Sequence, residues 1–304
     1  MKLTIATRKS PLAMAQTHWV AAQLQQHYPD ADIELLPLST RGDEVLDKSL
    51  AEIGGKALFL KELEMAMLDG RADMAVHSLK DMPADLPEGL CLAGVCERVD
   101  PRDVFVSAKA NCLADLPAGS VIGTASPRRQ SQLLHAYPAL RVQTIRGNVQ
   151  TRLDKLYAGE VDGLLLAAAG LLRLDLMAEI KDYLSVEDFL PAIGQGVLAI
   201  ECRSEDVSLQ QQLQPLIHGP TWVTVQAERA LSARLQASCH SPLAAYATLS
   251  EDTLTLTAMV GSLDGKQHIT QTLQGDVNVP VELGEQMAEA LLAQGAAPLL
   301  KQTG

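Results

Sequence analysis

Aromatic side chains are scarce in this sequence: three Phe, two Trp and five Tyr make up 3% of 304 residues. Together with a net charge of −12, that scarcity argues against a nucleic-acid binder, which needs stacking rings and a basic stripe. Cysteine is scarce too. Its five thiols, Cys91, Cys96, Cys112, Cys202 and Cys239, are odd in number and form no C-x-x-C pair, so neither a disulfide framework nor a metal site is expected. No apolar run reaches bilayer length, the richest being 164–172, and residues 1–8 lack the apolar stretch of a signal peptide. The expectation is a cytoplasmic protein with no membrane attachment. Basic residues are nearly missing from the C-terminal quarter. All fourteen arginines lie at or before Arg234, after which only Lys266 and Lys301 stand against seven acids. Any cationic task belongs to residues 1–234.

At 47% hydrophobic content the chain can bury a sizeable core, and its length favours two or three domains. Short β-rich runs at 3–7, 33–38, 72–77, 104–107, 121–123, 142–145, 163–167 and 197–201 alternate with helical periods at 13–26, 58–68, 128–136, 149–157 and 207–216. Several of the strands are almost wholly apolar, as strands covered on both faces are. This rhythm predicts an α/β protein with doubly wound sheets, whose ligands sit beyond the strand carboxyl ends. After Gly219 the pattern changes to a long helix, an alternating strand at 254–260, an Asp264-Gly265 turn, a strand at 267–273 and a closing helix at 281–293. That is a small α+β domain. Acidic and Pro-rich punctuation at 83–89, 100–103 and 191–196 marks joints.

Between Val121 and Arg152 the chain twice writes a strand end, a glycine and an arginine-bearing helix start: Gly123-Thr124-Ala125-Ser126-Pro127-Arg128-Arg129, then Arg146-Gly147-Asn148 followed by Arg152. Unpaired N–H groups at a helix start and forked guanidinium groups suit carboxylate or phosphate. Beside them stand His77-Ser78-Leu79-Lys80-Asp81 at a strand end and Cys239 among Ser238, His240 and Ser241. An aspartate among cations keeps its charge and can stabilise a cation that develops on a substrate. The remaining cysteines lie in or near apolar strand segments, as inert core thiols do.

These pieces carry a family resemblance. Ala6-Thr7-Arg8-Lys9-Ser10-Pro11-Leu12-Ala13, Lys61-Glu62-Leu63-Glu64, Ala75-Val76-His77-Ser78-Leu79-Lys80-Asp81, Arg128-Arg129-Gln130, Arg146-Gly147-Asn148-Val149, Gly194-Gln195-Gly196 and Ala227-Glu228-Arg229 match in order the motifs of the hydroxymethylbilane synthases, also called porphobilinogen deaminases. The resemblance runs over essentially the whole chain. It implies two α/β lobes like those of periplasmic binding proteins, domain 1 at 1–98 plus 197–214 and domain 2 at 102–191, with a small C-terminal α+β domain at 219–304. It also implies an enzyme that joins four porphobilinogen molecules head to tail with loss of ammonia on a dipyrromethane primer, then releases linear hydroxymethylbilane by hydrolysis.

By the same resemblance, the primer is a thioether adduct of Cys239, and a soft thiolate is a suitable trap for the azafulvene that loss of ammonia leaves. Asp81, Arg8 and Lys80 are the implied catalytic residues. Lys80, Asp81, Thr124, Ser126, Arg128 and Arg129 hold the cofactor; Arg8, Ser10, Lys56, Arg146, Gly147, Arg152, Arg173, Gln195 and Arg229 hold the substrate or growing chain. Two carboxylates per pyrrole explain the arginines. A monomer is expected, with no metal, nucleic acid or membrane partner, and 42–56 is a candidate lid. Departures from the family pattern are Glu52 where a basic residue is common, Ala57 for Gly, Pro127 for Leu, and Ala237-Ser238 for glycines. A non-catalytic paralogue and a two-lobed binding protein for carboxylated small molecules remain as alternatives.

Overall fold

The computed structural model describes residues 2–40, 60–238 and 240–302. The chain divides into two compact units, Met1–Val99 with Val197–Trp222, and Asp100–Gly196 with Val223–Gly304.

The first unit opens with β1 (Lys2–Arg8), α1 (Pro11–His27), β2 (Asp32–Leu38), α2 (Lys61–Leu68), β3 (Met74–Ser78) and β4 (Leu90–Val95). Alternation along β1 sends Leu3 and Ile5 to one face, where Val20 and Leu24 of α1 pack, and Ala6 to the other, against Leu63, Ala66 and Met67 of α2. Both faces are therefore dry, and each large apolar side chain contributes about 1.5–3 kcal/mol. Ser10 caps α1, with its Oγ accepting from Ala13 N at 3.4 Å, and Pro11 fills the first helical position.

In the second unit the chain forms β5 (Asp103–Val106), β6 (Val121–Gly123), α3 (Pro127–Ala136), β7 (Arg141–Gln143), α4 (Val149–Tyr157), β8 (Gly163–Ala167), α5 (Ala168–Arg173) and β9 (Asp182–Tyr183). The sheet order is β7-β6-β8-β5-β9. Leu153 and Leu156 of α4 cover one face with Val104 and Val106; Leu133 of α3 covers the other with Phe105 and Ile122. The chain then returns to the first unit as β10 (Leu198–Arg203) and α6 (Val207–Leu213), completing the order β2-β1-β3-β10-β4.

Neither sheet is purely parallel. β10 runs antiparallel to β3 and β4, and β5 antiparallel to β8 and β9. Apolar runs show that a strand is buried on both faces but carry no sign of its direction.

After α7 (Gly219–Arg234), β11 (Leu243–Ser250), β12 (Thr253–Gly261) and β13 (His268–Asp276) form an antiparallel sheet, followed by α8 (Pro280–Ala293) and α9 (Ala297–Leu300). Ala227 and Leu231 of α7 and Leu283, Met287 and Leu291 of α8 bury Leu254, Leu256 and Ala258. The β12–β13 turn rests on the end of α3. Gly265 there has φ +71°, its carbonyl lies 2.9 Å from His135 Nδ1, and a Cβ would stand 2.4 Å from His135 N. His135 also stacks on His268 at 4.0 Å. Gly265→Ala is expected to cost about 2–3 kcal/mol through left-handed strain and backbone overlap, read as a lowered urea midpoint. Among the described residues no helix is long and apolar enough to cross a membrane.

Candidate active site

Strand ends present the chemistry-bearing residues. In the first unit, Arg8 closes β1 and Ser10 starts α1, while β3 runs directly into a 3-10 turn, Leu79–Asp81. Leu79 is buried and its N–H donates to Val197 O at 3.0 Å, which leaves Lys80 half-buried and Asp81 exposed. Gln16, buried on α1, donates to Ser78 Oγ at 2.7 Å, and His77 Nε2 lies 2.8 Å from Glu201 Oε2. The residues before the Lys80–Asp81 turn are thus tied on both faces of the sheet.

In the second unit, Ser126 Oγ caps α3 by accepting from Arg129 N at 3.4 Å, and Thr124 Oγ1 accepts from Ser126 N at 3.1 Å. Pro127 occupies the first helical position, where a missing N–H costs nothing. Arg128 and Arg129 turn inward onto Asp103, which is fully buried. Arg128 Nη1 donates to Asp103 Oδ2 at 2.6 Å and to Leu190 O at 2.7 Å; Arg129 reaches Asp103 Oδ1 through Nη2 at 2.7 Å and Leu165 O through Nη1 at 2.9 Å. Burial pushes the Asp103 carboxyl up, but the two guanidinium charges outweigh it and hold Asp103 below the usual carboxylate range. Burial pulls Arg128 below its ordinary value, against the charge of Asp103. Two cations on one anion leave a net positive charge. Arg128 Nε is also buried with no hydrogen-bond partner.

The second cationic helix start lies beyond β7. Asn148 caps α4, accepting from Thr151 N at 2.9 Å, and Arg152 Nε donates to Gly147 O at 2.8 Å. Gly147 has φ +110°, and a Cβ there would stand 2.7 Å from Thr151, so the turn requires glycine. Arg146 is half-buried and shares its surroundings with His240: burial and then the Arg146 charge lower the imidazole below its ordinary value, and His240 Nε2 is buried without a partner. The turn around His240 is built from Ser238 and Ser241, with Ser241 N donating to Ser238 O at 2.9 Å. The φ angles of Ala237 and Ser238 lie outside the left-handed region, so these departures from glycine cost nothing; the positive φ falls on Gln236.

Several site residues expected from sequence occupy different settings. Arg128 and Arg129 bind protein first, and the buried Arg128 Nε is left without a partner. Gln195 does not line an open path: it is fully buried, donating to Asp103 Oδ1 at 2.9 Å and Pro101 O at 2.7 Å. Arg173, at the end of α5, donates to Gly196 O at 3.3 Å, and Arg229 lies half-buried on α7. Cys239, Lys56, Glu52, Ala57 and the 42–56 segment lie outside the described residues. Sequence reasoning missed Asp103, Gln16 and Glu228. Asp103 is an acid opening an apolar strand, and Gln16 lies four residues before Val20 on the buried stripe of α1. Glu228, which accepts from Gly194 N at 2.7 Å and Ala247 N at 2.9 Å, sits inside a motif whose arginine drew the attention. Among the described residues no cluster could hold a metal ion.

Cationic helix starts at strand ends, as in the second unit, are the setting in which proteins hold anionic ligands. Solved structures similar to this chain include a periplasmic substrate-binding protein of an ABC transporter from Coxiella burnetii, 14% identical with TM-score 0.47 over 75% of this chain and 96% of that one. A nutrient-binding protein from Burkholderia cenocepacia bound to methionine is 12% identical, with TM-score 0.45 over 70% and 90%. Residues 3–211 match the family model described as porphobilinogen deaminase, dipyromethane cofactor binding domain, and residues 222–293 match porphobilinogen deaminase, C-terminal domain. The chain belongs to the porphobilinogen deaminase family. Its activity is that of a hydroxymethylbilane synthase, a transferase of tetrapyrrole biosynthesis that acts on porphobilinogen and uses a cysteine-linked dipyrromethane cofactor. The residues present fit that group: the excess positive charge around Asp103 and the unpartnered buried Arg128 Nε suit a carboxylate acceptor.

Proposed function

We propose that Asp81 is the carboxylate that stabilises positive charge as ammonia leaves each porphobilinogen, and that Cys239 carries the dipyrromethane. The observation that supports this most is that the charge of Arg146, at a cationic helix start, acts on His240, the residue that follows Cys239 in the sequence. Bound dipyrromethane would supply the terminal pyrrole carbon to which the first unit is joined, each later unit joining the pyrrole added before it. The protein's own groups do the rest. Arg128, Ser126, Thr124 and Arg129 form the support for cofactor carboxylates, with Arg128 Nε as the direct donor and Arg129 holding Asp103 in place. Lys80 pairs with a further carboxylate. Arg8, Ser10, Gly147, Arg146 and Arg152 bind the incoming substrate, and Arg8 assists proton transfer to the leaving amine. Lys56, Arg173 and Arg229 serve the growing chain, with Gln195 acting through Asp103. Asp81, exposed on a tied turn, faces the pyrrole N–H groups, where a fixed charge is worth most.

In this reading 1–98 plus 197–214, 102–191 and 219–304 act as three domains of a cytoplasmic monomer. Cys239→Ser is expected to remove the covalent adduct from the purified protein. Intact mass measured before and after porphobilinogen tests it: the parent shows a constant adduct, then a ladder of single-pyrrole steps. The same adduct on the serine variant would rule Cys239 out.

A further inference from the structure

One turn into α3 beyond Arg128 lies a buried amide that this chemistry does not use. Gln132 stands four residues after Arg128, on the same face of the helix. Its side chain clasps the backbone of Leu190 at both ends: Leu190 N donates to Oε1 at 2.7 Å, and Nε2 donates to Leu190 O at 3.0 Å. Arg128 Nη1 donates to that same oxygen at 2.7 Å. Two donors, one helical turn apart, thus converge on a carbonyl that lies 58 residues beyond Gln132 in the chain.

Leu190 falls between β9 and β10, outside helix and strand, so no ladder is there to satisfy its buried N–H and C=O. Gln132 takes that place. The side chain of Leu190 is buried with Ala244 of β11 and Met259 of β12, and Pro191 O accepts from Ala245 N at 3.2 Å. The carbonyl is therefore held from two directions. For Arg128 the consequence is aim: a guanidinium is a rigid planar fork, so fixing Nη1 between Asp103 Oδ2 at 2.6 Å and Leu190 O sets where its other N–H groups point. Among these, Nε is buried and has no hydrogen-bond partner among the described residues.

We propose that Gln132 is a positioning residue for the reaction: by holding the Leu190 carbonyl in place, it aims the Arg128 guanidinium so that Nε faces the cofactor carboxylate. The inference rests on Arg128 being the donor to that carboxylate. Without the amide, Leu190 O loses one of its two side-chain donors and Leu190 N its acceptor, and the peptide is free to turn away from Arg128. Arg128 Nη1 then keeps Asp103 alone, and the fork swings about that contact. A carboxylate is met off axis, and a misplacement of about 1 Å can cost about 10²-fold in rate. The incoming substrate is held by Arg8, Ser10, Arg146 and Arg152, so its binding is spared.

The test uses the holoenzyme. Gln132→Met keeps the volume and removes both hydrogen bonds, and kcat should fall about tenfold with KM within about twofold. Gln132→Glu keeps the shape and the acceptor for Leu190 N but loses the donor to Leu190 O, and should lower kcat at least as far. Gly265→Ala, which weakens the fold at the other end of α3, should lower the urea midpoint and leave kcat unchanged, so lost stability alone does not imitate the effect. In an Arg128→Lys background the fork is already gone, and adding Gln132→Met should cost no more than about twofold. Parent kcat in both Gln132 variants, or fully additive losses in the double variant, would overturn the proposal. A second readout needs no turnover: the ¹H–¹⁵N signal of Arg128 Nε, identified by its absence from Arg128→Lys, should shift in Gln132→Glu and exchange with water about tenfold faster. An unmoved signal would overturn it too. Parent-like turnover in Arg128→Lys would sink the Arg128 assignment and this proposal with it, whereas impaired turnover there beside parent-like Gln132 variants would sink this proposal alone.

Discussion

Asp81→Ala yields a folded protein whose turnover falls by about 10³-fold. The fold survives because Asp81 is exposed, and the turn that carries it is held by others: Leu79 N to Val197 O at 3.0 Å, Met82 N to Leu79 O at 3.0 Å, and the side-chain ties on His77 and Ser78. Removing a solvent-facing carboxylate from such a frame should shift the thermal midpoint by no more than about 2 °C. Turnover is another matter. The departing ammonia leaves cationic character on the pyrrole, and a charge fixed before the reaction begins stabilises it without reorganising. Asp81→Asn keeps the shape and removes the charge, so it should be nearly as impaired as alanine. Asp81→Glu keeps the charge on a longer arm and should recover part of the rate. Porphobilinogen consumption followed with Ehrlich's reagent reads all three, and an alanine variant as active as the parent would remove Asp81 from the chemistry.

Sequence reasoning located most elements and fewer of their partners. The helical period at 149–157 and the apolar run at 163–167 coincide with α4 and β8, because an amphipathic helix and a doubly buried strand each leave a local pattern. β4 and β9 went unread. Leu90–Val95 follows Pro-rich punctuation without alternation, and Asp182–Tyr183 is too short to have a period. The strand-Gly-helix spelling correctly put Ser126 and Arg146 beyond strand ends, since caps and turns are local. What Arg128 and Arg129 bind was not readable, because Asp103 comes from a strand 25 residues earlier in the chain. The same limit hid the partner of His77: Glu201, 2.8 Å from its Nε2, lies on a strand that returns after the whole second lobe. Local chemistry writes itself into adjacent residues; long-range pairing does so only as an anomaly, such as an acid where an apolar residue belongs.

Asp103 carries the largest expected effect on stability. It accepts from Arg128 Nη1, from Arg129 Nε and Nη2, and from Gln195 Nε2 at distances of 2.6 to 3.1 Å, with no exposure of its own. Asp103→Asn preserves volume and removes the only anion that these buried guanidinium groups are seen to share among the described residues. Two like charges then face one another out of water, at a cost of about 3–5 kcal/mol. With a urea slope of about 2 kcal/mol/M, the midpoint should drop by about 1.5–2.5 M. The pH dependence has a definite sign. A carboxylate whose folded pKa is depressed adds stability that is present above its unfolded value and is lost only as pH falls through the folded one. Because Arg128 and Arg129 hold Asp103 far below the ordinary range, the parent keeps this contribution through mild acid, and the gap between parent and Asp103→Asn should stay constant from about pH 8 down to about pH 5. Adding Arg129→Met to Asp103→Asn removes one of the two facing cations and should restore part of the lost stability, whereas Arg129→Met alone should destabilise. An unchanged midpoint in Asp103→Asn, or additive losses in the double variant, would show that the cluster is not held by this carboxylate.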